Sequence, residues 1–290
     1  MQIAVVCPFI TPLSIGYAEG VIEHLMGLNI PVIVDKTLYD GLEDEALKEQ
    51  LKVFSSLDQT TDFLICIGGD GSMLQAITKV KDSGVPILGI NTGRLGFLTS
   101  LQKESLNKGL QALWEKKYSL IERTILKVEL DQHQSLLEEF PYALNEISVS
   151  RKDTASLISV KASINNQELT TYWADGLIVA TPTGSTGYNL SSGGPIVLPD
   201  TPALMMTPIA PHNLNIRPLV LPDHSVIELE VSGREEQHLL SLDSRLITLP
   251  HNTSIRIKKA HFSIATIQFD DTAFYSTLRE KLFWGLDKRN

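Results

Sequence analysis

Apolar residues recur along the first third of the chain in two alternating rhythms. Short apolar runs at residues 3–7, 31–34, 63–67 and 85–90 have the length of buried parallel strands. Between them Tyr17, Val21, Leu25 and Leu28 share one helical face, and Leu47, Leu51 and Phe54 share another. Residues 72–80 carry a third helical pattern. Alternation of this kind predicts a parallel sheet with helices on both faces. The rhythm changes near residue 120. Segments 125–130, 146–151, 158–164, 176–180, 226–231, 254–257 and 262–269 read as strands, with turn pairs Asn165-Asn166 and Ser232-Gly233 between some of them. Residues 276–284 return to helical spacing.

The expected fold class is an α/β N-terminal domain with a parallel sheet, followed by a mostly antiparallel all-β C-terminal domain. Residues 1–120 form the first, a Rossmann-like nucleotide-binding domain, and residues 121–270 the second. Residues 271–290 form a helical tail that packs back on the first domain. Two domains of this kind predict a cleft between them, a usual ligand place.

The strand at 63–67 runs into Gly68-Gly69-Asp70-Gly71-Ser72, and a helix follows. Glycines allow a sharp turn and close approach to a ligand. The free N–H groups that open the helix favour an anion, typically phosphate. Gly68, Gly69, Gly71 and Ser72 are therefore candidate phosphate ligands. Asp70 changes that picture. A carboxylate beside a phosphate is repelled unless it has a task, such as handling a hydroxyl proton or holding a metal, so phosphoryl transfer is indicated over passive binding. The strand at 85–90 leads into a second glycine loop, Asn91-Thr92-Gly93-Arg94-Leu95-Gly96-Phe97. The Arg94 fork suits a phosphate, and Phe97 is either core or ligand wall. Ligands of parallel sheets sit beyond the carboxyl ends of the strands, where both loops lie.

Charge narrows the partners. A formal net charge of −9 without a long basic block argues against nucleic acid. A polyanionic substrate must then meet backbone N–H groups, metal ions or a few placed cations. Cys7 and Cys66 lie in apolar runs and are expected reduced and buried. The first ten residues lack Lys and Arg, and no stretch approaches the roughly 20 apolar residues that span a bilayer. The expectation is a cytoplasmic protein without membrane contact. The dinucleotide fingerprint G-x-G-x-x-G and the P-loop are absent, as are H-E-x-x-H and paired C-x-x-C. The seven histidines show no ligand spacing.

Two later segments carry candidate chemistry. Asn145-Glu146 opens a strand and offers an amide for a base edge and a carboxylate for ribose hydroxyls. From Asp175-Gly176 the chain passes through Thr183-Gly184-Ser185-Thr186-Gly187-Tyr188-Asn189-Leu190-Ser191 to Gly193-Gly194-Pro195. A strand thus leads into small and hydroxyl residues that can surround a polar ligand.

Together these four blocks resemble NAD kinases, which phosphorylate NAD to NADP. The first block alone also fits lipid kinases and phosphofructokinases. The resemblance implies that Asp70 meets the adenosine-ribose 2′-hydroxyl as proton acceptor, with Gly71 beside it and Phe97 near the ligand. It implies that Asn145 and Glu146 hold the adenine and ribose, and that Asp175 bonds the nicotinamide end. Thr183 and the segment Thr186, Gly187, Tyr188, Asn189, Leu190 and Ser191 would contact the adenosine. Ala210 would contribute its backbone, and Arg245, in Leu242-Asp243-Ser244-Arg245, a polar contact. ATP as phosphoryl donor, a divalent cation such as Mg²⁺ and a homo-oligomer (dimer or tetramer) are also implied. Trp173 stands where some relatives have a cation, and residues 199–222 are rich in proline. The alternatives are a kinase of another alcohol, lipid or sugar, and a non-catalytic dinucleotide sensor. No membrane-facing apolar element favours the lipid case, and a sensor has no use for Asp70.

Overall fold

A computed structural model describes residues 1–93, 96–102, 105–137, 139–152, 156–269 and 274–285. The chain divides into two compact units, Met1–Glu122 with the C-terminal stretch from Ile264, and Arg123–Ser263.

The first unit follows the apolar runs. Its strands are β1 (Ile3–Val6), β2 (Val32–Val34), β3 (Lys52–Val53), β4 (Phe63–Ile67), β5 (Ile87–Asn91) and β6 (Leu101–Gln102). They pair parallel in the order β3–β2–β1–β4–β5, with β6 also on β5. Every residue of β1, β4 and β5 is buried, as expected for strands covered on both faces. The helices are α1 (Pro12–Gly27), α2 (Lys36–Gly41), α3 (Glu45–Lys48), α4 (Asp70–Val80) and α5 (Leu106–Trp114). Local chemistry sets their starts. Thr11 and Ser14 form a reciprocal capping box ahead of Pro12. Asp35 accepts from Leu38 N–H at 3.2 Å and pairs with Lys79 at 3.4 Å, tying the start of α2 to the last turn of α4.

One expected helix fails. The Leu47–Leu51–Phe54 spacing fits a helical face, yet α3 stops after one turn at Lys48 and Lys52–Val53 pair with β2 instead. Leu47 and Leu51 are buried without a continuous helix, so their spacing does not discriminate. The free edge of β2 does, because it offers Lys52 and Val53 ladder hydrogen bonds.

Two long strands carry the chain across the unit boundary, β7 (Ser119–Leu130) and β18 (Ser254–Gln268). The segments expected as two strands at 254–257 and 262–269 are this one strand. The second unit holds β8 (Tyr142–Ala143), β9 (Glu146–Arg151), β10 (Ile158–Ile164), β11 (Gln167–Ala174), β12 (Gly176–Ala180), α6 (Tyr188–Ser191), β13 (Ala203–Ile209), β14 (Leu219–Pro222), β15 (Ile227–Ser232), β16 (Gln237–Leu242) and β17 (Arg245–Pro250). Six of them form an antiparallel sheet in the order β14–β13–β12–β9–β16–β17. The strands β11–β10–β15 and the Ser254–Ile257 part of β18 make a second antiparallel layer. Ile147, Val149, Leu177, Val179 and Leu240 share one core with Val160, Leu229, Val231, Ile255 and Ile257. The other face of β12 packs Ile178 and Ala180 on Met205, Val197 and Ile209, which is why its run reads apolar without alternation.

The proline-rich segment 199–222 contains β13 and β14. Pro208 is paired with Leu177 of β12, beyond the Ala203–Met206 stretch where β14 pairs. The missing N–H therefore falls on a local edge. The C-terminal helix α7 (Phe274–Leu282) belongs to the first unit, where the Phe274 ring lies 6.0 Å from that of Phe97. Cys7 and Cys66 are free and buried. No helix among the described residues is long and apolar enough to cross a membrane.

His238 of β16 is fully buried beside His251. Their Nδ1 atoms are 3.3 Å apart, and the ring planes differ by 8°. Burial, then the neighbouring imidazole, lowers the His238 pKa to about 4. A histidine depressed from 6.5 contributes stability above pH 6.5 that is lost as pH falls towards 4. Between pH 6.5 and 5 the expected loss is about 2 kcal/mol. Thermal melts should therefore fall more steeply over that interval for the native chain than for His238→Gln. Parallel pH profiles for the two would assign the acid sensitivity elsewhere.

Candidate active site

The order β3–β2–β1–β4–β5 reverses direction between β1 and β4, and a crevice opens beyond the carboxyl ends of the strands at such a switch point. Gly68-Gly69-Asp70 follow β4 at that end. Gly68 donates its N–H to Ile90 O at 2.9 Å, tying the loop to β5. Gly69 is the N-cap of α4 and supplies no side-chain cap. The first intrahelical bonds run from Ser72 and Met73 N–H to Gly69 O. Asp70 and Gly71 N–H thus stand at an uncapped helix start, suited to an anion. Gly71 is exposed and Ser72 buried.

Asp70 does not point away from this loop. Its Oδ2 accepts from Phe97 N–H at 2.9 Å and its Oδ1 from Leu98 N–H at 3.0 Å. Gly96 N–H bonds Thr99 Oγ1 at 3.0 Å, and Thr99 Oγ1 also meets Asn91 Nδ2. The second glycine loop is thereby folded over the carboxylate. A methyl group at Gly96 would fall inside the Asp70 carboxyl group, so only glycine admits this approach. Each carboxylate oxygen retains lone-pair capacity for a hydroxyl proton. Phe97 is half-buried, with its ring on Phe274. Arg94 lies outside the described residues.

The second unit assembles another cluster. Thr181 Oγ1 donates to Leu144 O at 2.5 Å and accepts from Gly184 N–H at 3.1 Å. Gly184 lies so close to the Asn145 carbonyl that a Cβ there would overlap it. The turn Thr183–Thr186 is thus laid directly on Asn145. Gly187 brings the chain to both side chains of the pair: a Cβ at that position would lie 3.2 Å from Glu146 Oε2 and 3.5 Å from Asn145 Nδ2. Tyr188 N–H bonds the Glu146 carboxyl group. Asn145 Oδ1 and Glu146 Oε2 are buried and have no hydrogen-bond partner among the described residues. Buried polar atoms of this kind are costly unless partnered. Burial, then the charge of Asp243, raises the Glu146 pKa to about 8, opposed by Tyr188 N–H.

The remaining expected residues divide. Asp175 pairs with Arg151 at 3.0 Å, accepts Arg151 N–H on its carbonyl and donates to Ile209 O. The next residue after Ile209, exposed Ala210, has φ 43°, a left-handed conformation that is strained for alanine. Thr183 Oγ1 accepts from Arg123 at 3.3 Å, and Thr186 Oγ1 donates to Thr183 O at 3.4 Å. Tyr188 and Ser191 are exposed, and Leu190 is half-buried. The Asn189 side chain is spent inside the protein, on Ser185 O, Pro195 O and Thr207 Oγ1. The Arg245 guanidinium binds Phe140 O and Tyr142 O and lies 5.0 Å over the Phe140 ring. Thr181, Arg151 and Asp243 were not among the expected site residues. Asp243 sits two residues before Arg245, and its side-chain role has no local sequence signal beyond an Asp-Ser turn between alternating runs.

Two family models match the chain, the ATP-NAD kinase N-terminal domain over residues 3–118 and the ATP-NAD kinase C-terminal domain over residues 144–269. The NAD kinase of Christiangramia forsetii is 46% identical with 100% of each chain covered, and that of Flavobacterium psychrophilum is 48% identical over 90% of each. This chain belongs to the NAD kinase family. It is accordingly a phosphotransferase. Among solved structures, yeast NADH kinase complexed with NADH superposes at a TM-score of 0.86, with 27% identity, over 99% of this chain and 89% of that one. An NAD kinase from Archaeoglobus fulgidus in complex with ATP gives 0.75, with 27% identity, over 98% and 99%. The order of an NAD kinase, α/β unit first and β-rich unit second, is the order found here.

No three His, Cys, Asp or Glu side chains among the described residues converge to hold a metal ion. Among these residues the donor set does not fit a resident metal centre.

Replacing Gly96 by Ala should displace the Asp70 carboxylate from Phe97 and Leu98 N–H. The expected cost is about 1–3 kcal/mol in urea unfolding, with a larger fractional loss of turnover. Gly93→Ala is the control, because a Cβ there finds its nearest neighbour at 3.8 Å. Its stability should stay within about 0.5 kcal/mol. Equal effects of the two substitutions would refute the close-approach role of Gly96.

Proposed function

We propose that this chain transfers a phosphoryl group from ATP to the 2′-hydroxyl of the adenosine ribose of NAD, giving NADP. The observation that carries this reading is the Asp70 carboxylate, held by two backbone amides at the uncapped start of α4. Relatives named NAD kinase over the full chain length support the substrate. The ATP complex of the Archaeoglobus fulgidus enzyme supports the donor, and the NADH complex of the yeast enzyme supports a dinucleotide acceptor.

Phosphoryl transfer rests on positioning and electrostatics, because its transition state is loose. Gly68, Gly69, Gly71 and Ser72 line the helix start, whose N–H groups meet donor phosphates. Asp70 accepts the hydroxyl proton through its free lone pairs and orients the attacking oxygen. A carboxylate is a weak base for an alcohol, which matters little when the proton leaves after bonding to phosphorus has begun. Asn145 and Glu146 receive the hydroxyl and amine donors of the adenosine half, and Asp175, steadied by Arg151, serves the nicotinamide end. Backbone groups of residues 186–191 and of Ala210 complete the dinucleotide contacts. Mg²⁺ enters with ATP. A cytoplasmic homo-oligomer belongs to the same proposal through the family resemblance. A kinase of another alcohol is disfavoured because the Asn145-Glu146 pair and the run from Asp175 to Pro195 lie within the matched C-terminal model.

Incubating the chain with NAD, ATP and Mg²⁺ should yield NADP. Asp70→Asn should lower turnover about 10²-fold or more while NAD still titrates the protein. Near-normal turnover would remove Asp70 from catalysis. Asn145→Ala should raise the KM for NAD about tenfold, the scale of one buried hydrogen-bonding group left unmatched. An unchanged KM would move the adenosine site elsewhere.

A further inference from the structure

We infer that Asp243 is the positioning residue that presents Asn145 and Glu146 to the dinucleotide, an inference that rests on the proposed function. Asp243 lies in the turn between β16 and β17. Its Oδ2 accepts from Leu144 N–H at 3.0 Å, and its Oδ1 accepts from Asn145 N–H at 2.8 Å and Glu146 N–H at 3.2 Å. Its own N–H donates to Glu146 O at 3.0 Å. One residue therefore makes four hydrogen bonds to three consecutive residues, two of which carry the unpartnered acceptors of the site.

The position makes two separate demands. The backbone of Asp243 is left-handed, with φ 53°, a conformation that Asp and Asn tolerate better than other side chains. The carboxylate must also accept three N–H groups on two oxygens, which an amide cannot reproduce. Ser241 Oγ braces the turn by donating to Asp243 O at 2.8 Å. Arg245 holds its other side through Phe140 O and Tyr142 O. The hairpin turn thus clamps residues 140–146 from both ends, and Asn145 and Glu146 emerge from the clamp with fixed backbone.

The clamp also places charge. Asp243 is the acidic neighbour that pushes Glu146 upward, after burial itself. The groups facing Glu146 are Asp243 from the β16–β17 turn and Tyr188 N–H from α6, while Arg245 on β17 acts on Asp243. Removing the Asp243 charge should let Glu146 ionise at lower pH.

Asp243→Asn keeps the size and the backbone preference, accepts two of the three N–H groups, and turns an amide towards the third. Asp243→Ala removes all three side-chain bonds. In the full chain, Asp243→Asn should raise the KM for NAD about tenfold, with the KM for ATP changed less than about twofold. The pH midpoint of kcat/KM for NAD should move down. In an Asn145→Ala background the same substitution should add less than about twofold, because the two act through one group. Should Asp243→Ala fail to fold, Asp243→Asn carries the test. An unchanged NAD KM in Asp243→Asn overturns the inference, as does an equal rise in the NAD and ATP constants with additive double mutants. Titrating the native chain with NAD separates the two levels. Absent binding there sinks the proposed function and the inference with it, whereas native binding matched by the variants sinks the inference alone.

Discussion

A backbone N–H that no helix or sheet partner can reach must find another acceptor. In each of the two candidate clusters a carboxylate meets that demand. Asp70 takes the amides of Phe97 and Leu98, and Asp243 takes those of Leu144, Asn145 and Glu146. The segments so held include the candidate site residues Phe97, Asn145 and Glu146. Their order comes from a side chain brought in by another element, which is why a single atom at Gly96 or a single charge at Asp243 matters so much.

In the proposed reaction the two carboxylates have different tasks. Asp70 sits where backbone N–H groups favour a phosphate, and its bonds to the second loop keep it in that field with lone pairs to spare. Asp243 makes no use of ligand groups and instead supports neighbours that do. Burial, and after it the charge of Asp243, leaves Glu146 reluctant to ionise. In the proposed reaction a chain with net charge −9 would meet polyanionic substrates through amide hydrogens and placed acceptors.

Much of this could be read before any coordinates. The buried runs of β1, β4 and β5 follow from local pattern, and so does the bracket around Asp70. Other features could not. Leu47, Leu51 and Phe54 have helical spacing, but a neighbouring strand edge captured Lys52 and Val53. Asn189 and Arg245 look like ligand contacts by position, yet their polar atoms are used on internal carbonyls. The strands within the proline-rich segment 199–222 were hidden because proline tolerance depends on which side of a strand lies at an edge.

Alone, the order of residues determined the two-part architecture, the phosphate-directed loop with its acid, and the family to which the motifs belong. These depend on spacing within a few residues, and spacing is local. Tertiary structure decided which acceptors stay unpartnered, which glycines touch a carboxylate or carbonyl, and that Asp243 governs residues 144–146 from about a hundred positions away. Contacts between distant segments depend on sheet register and burial, and no short pattern in the chain encodes either.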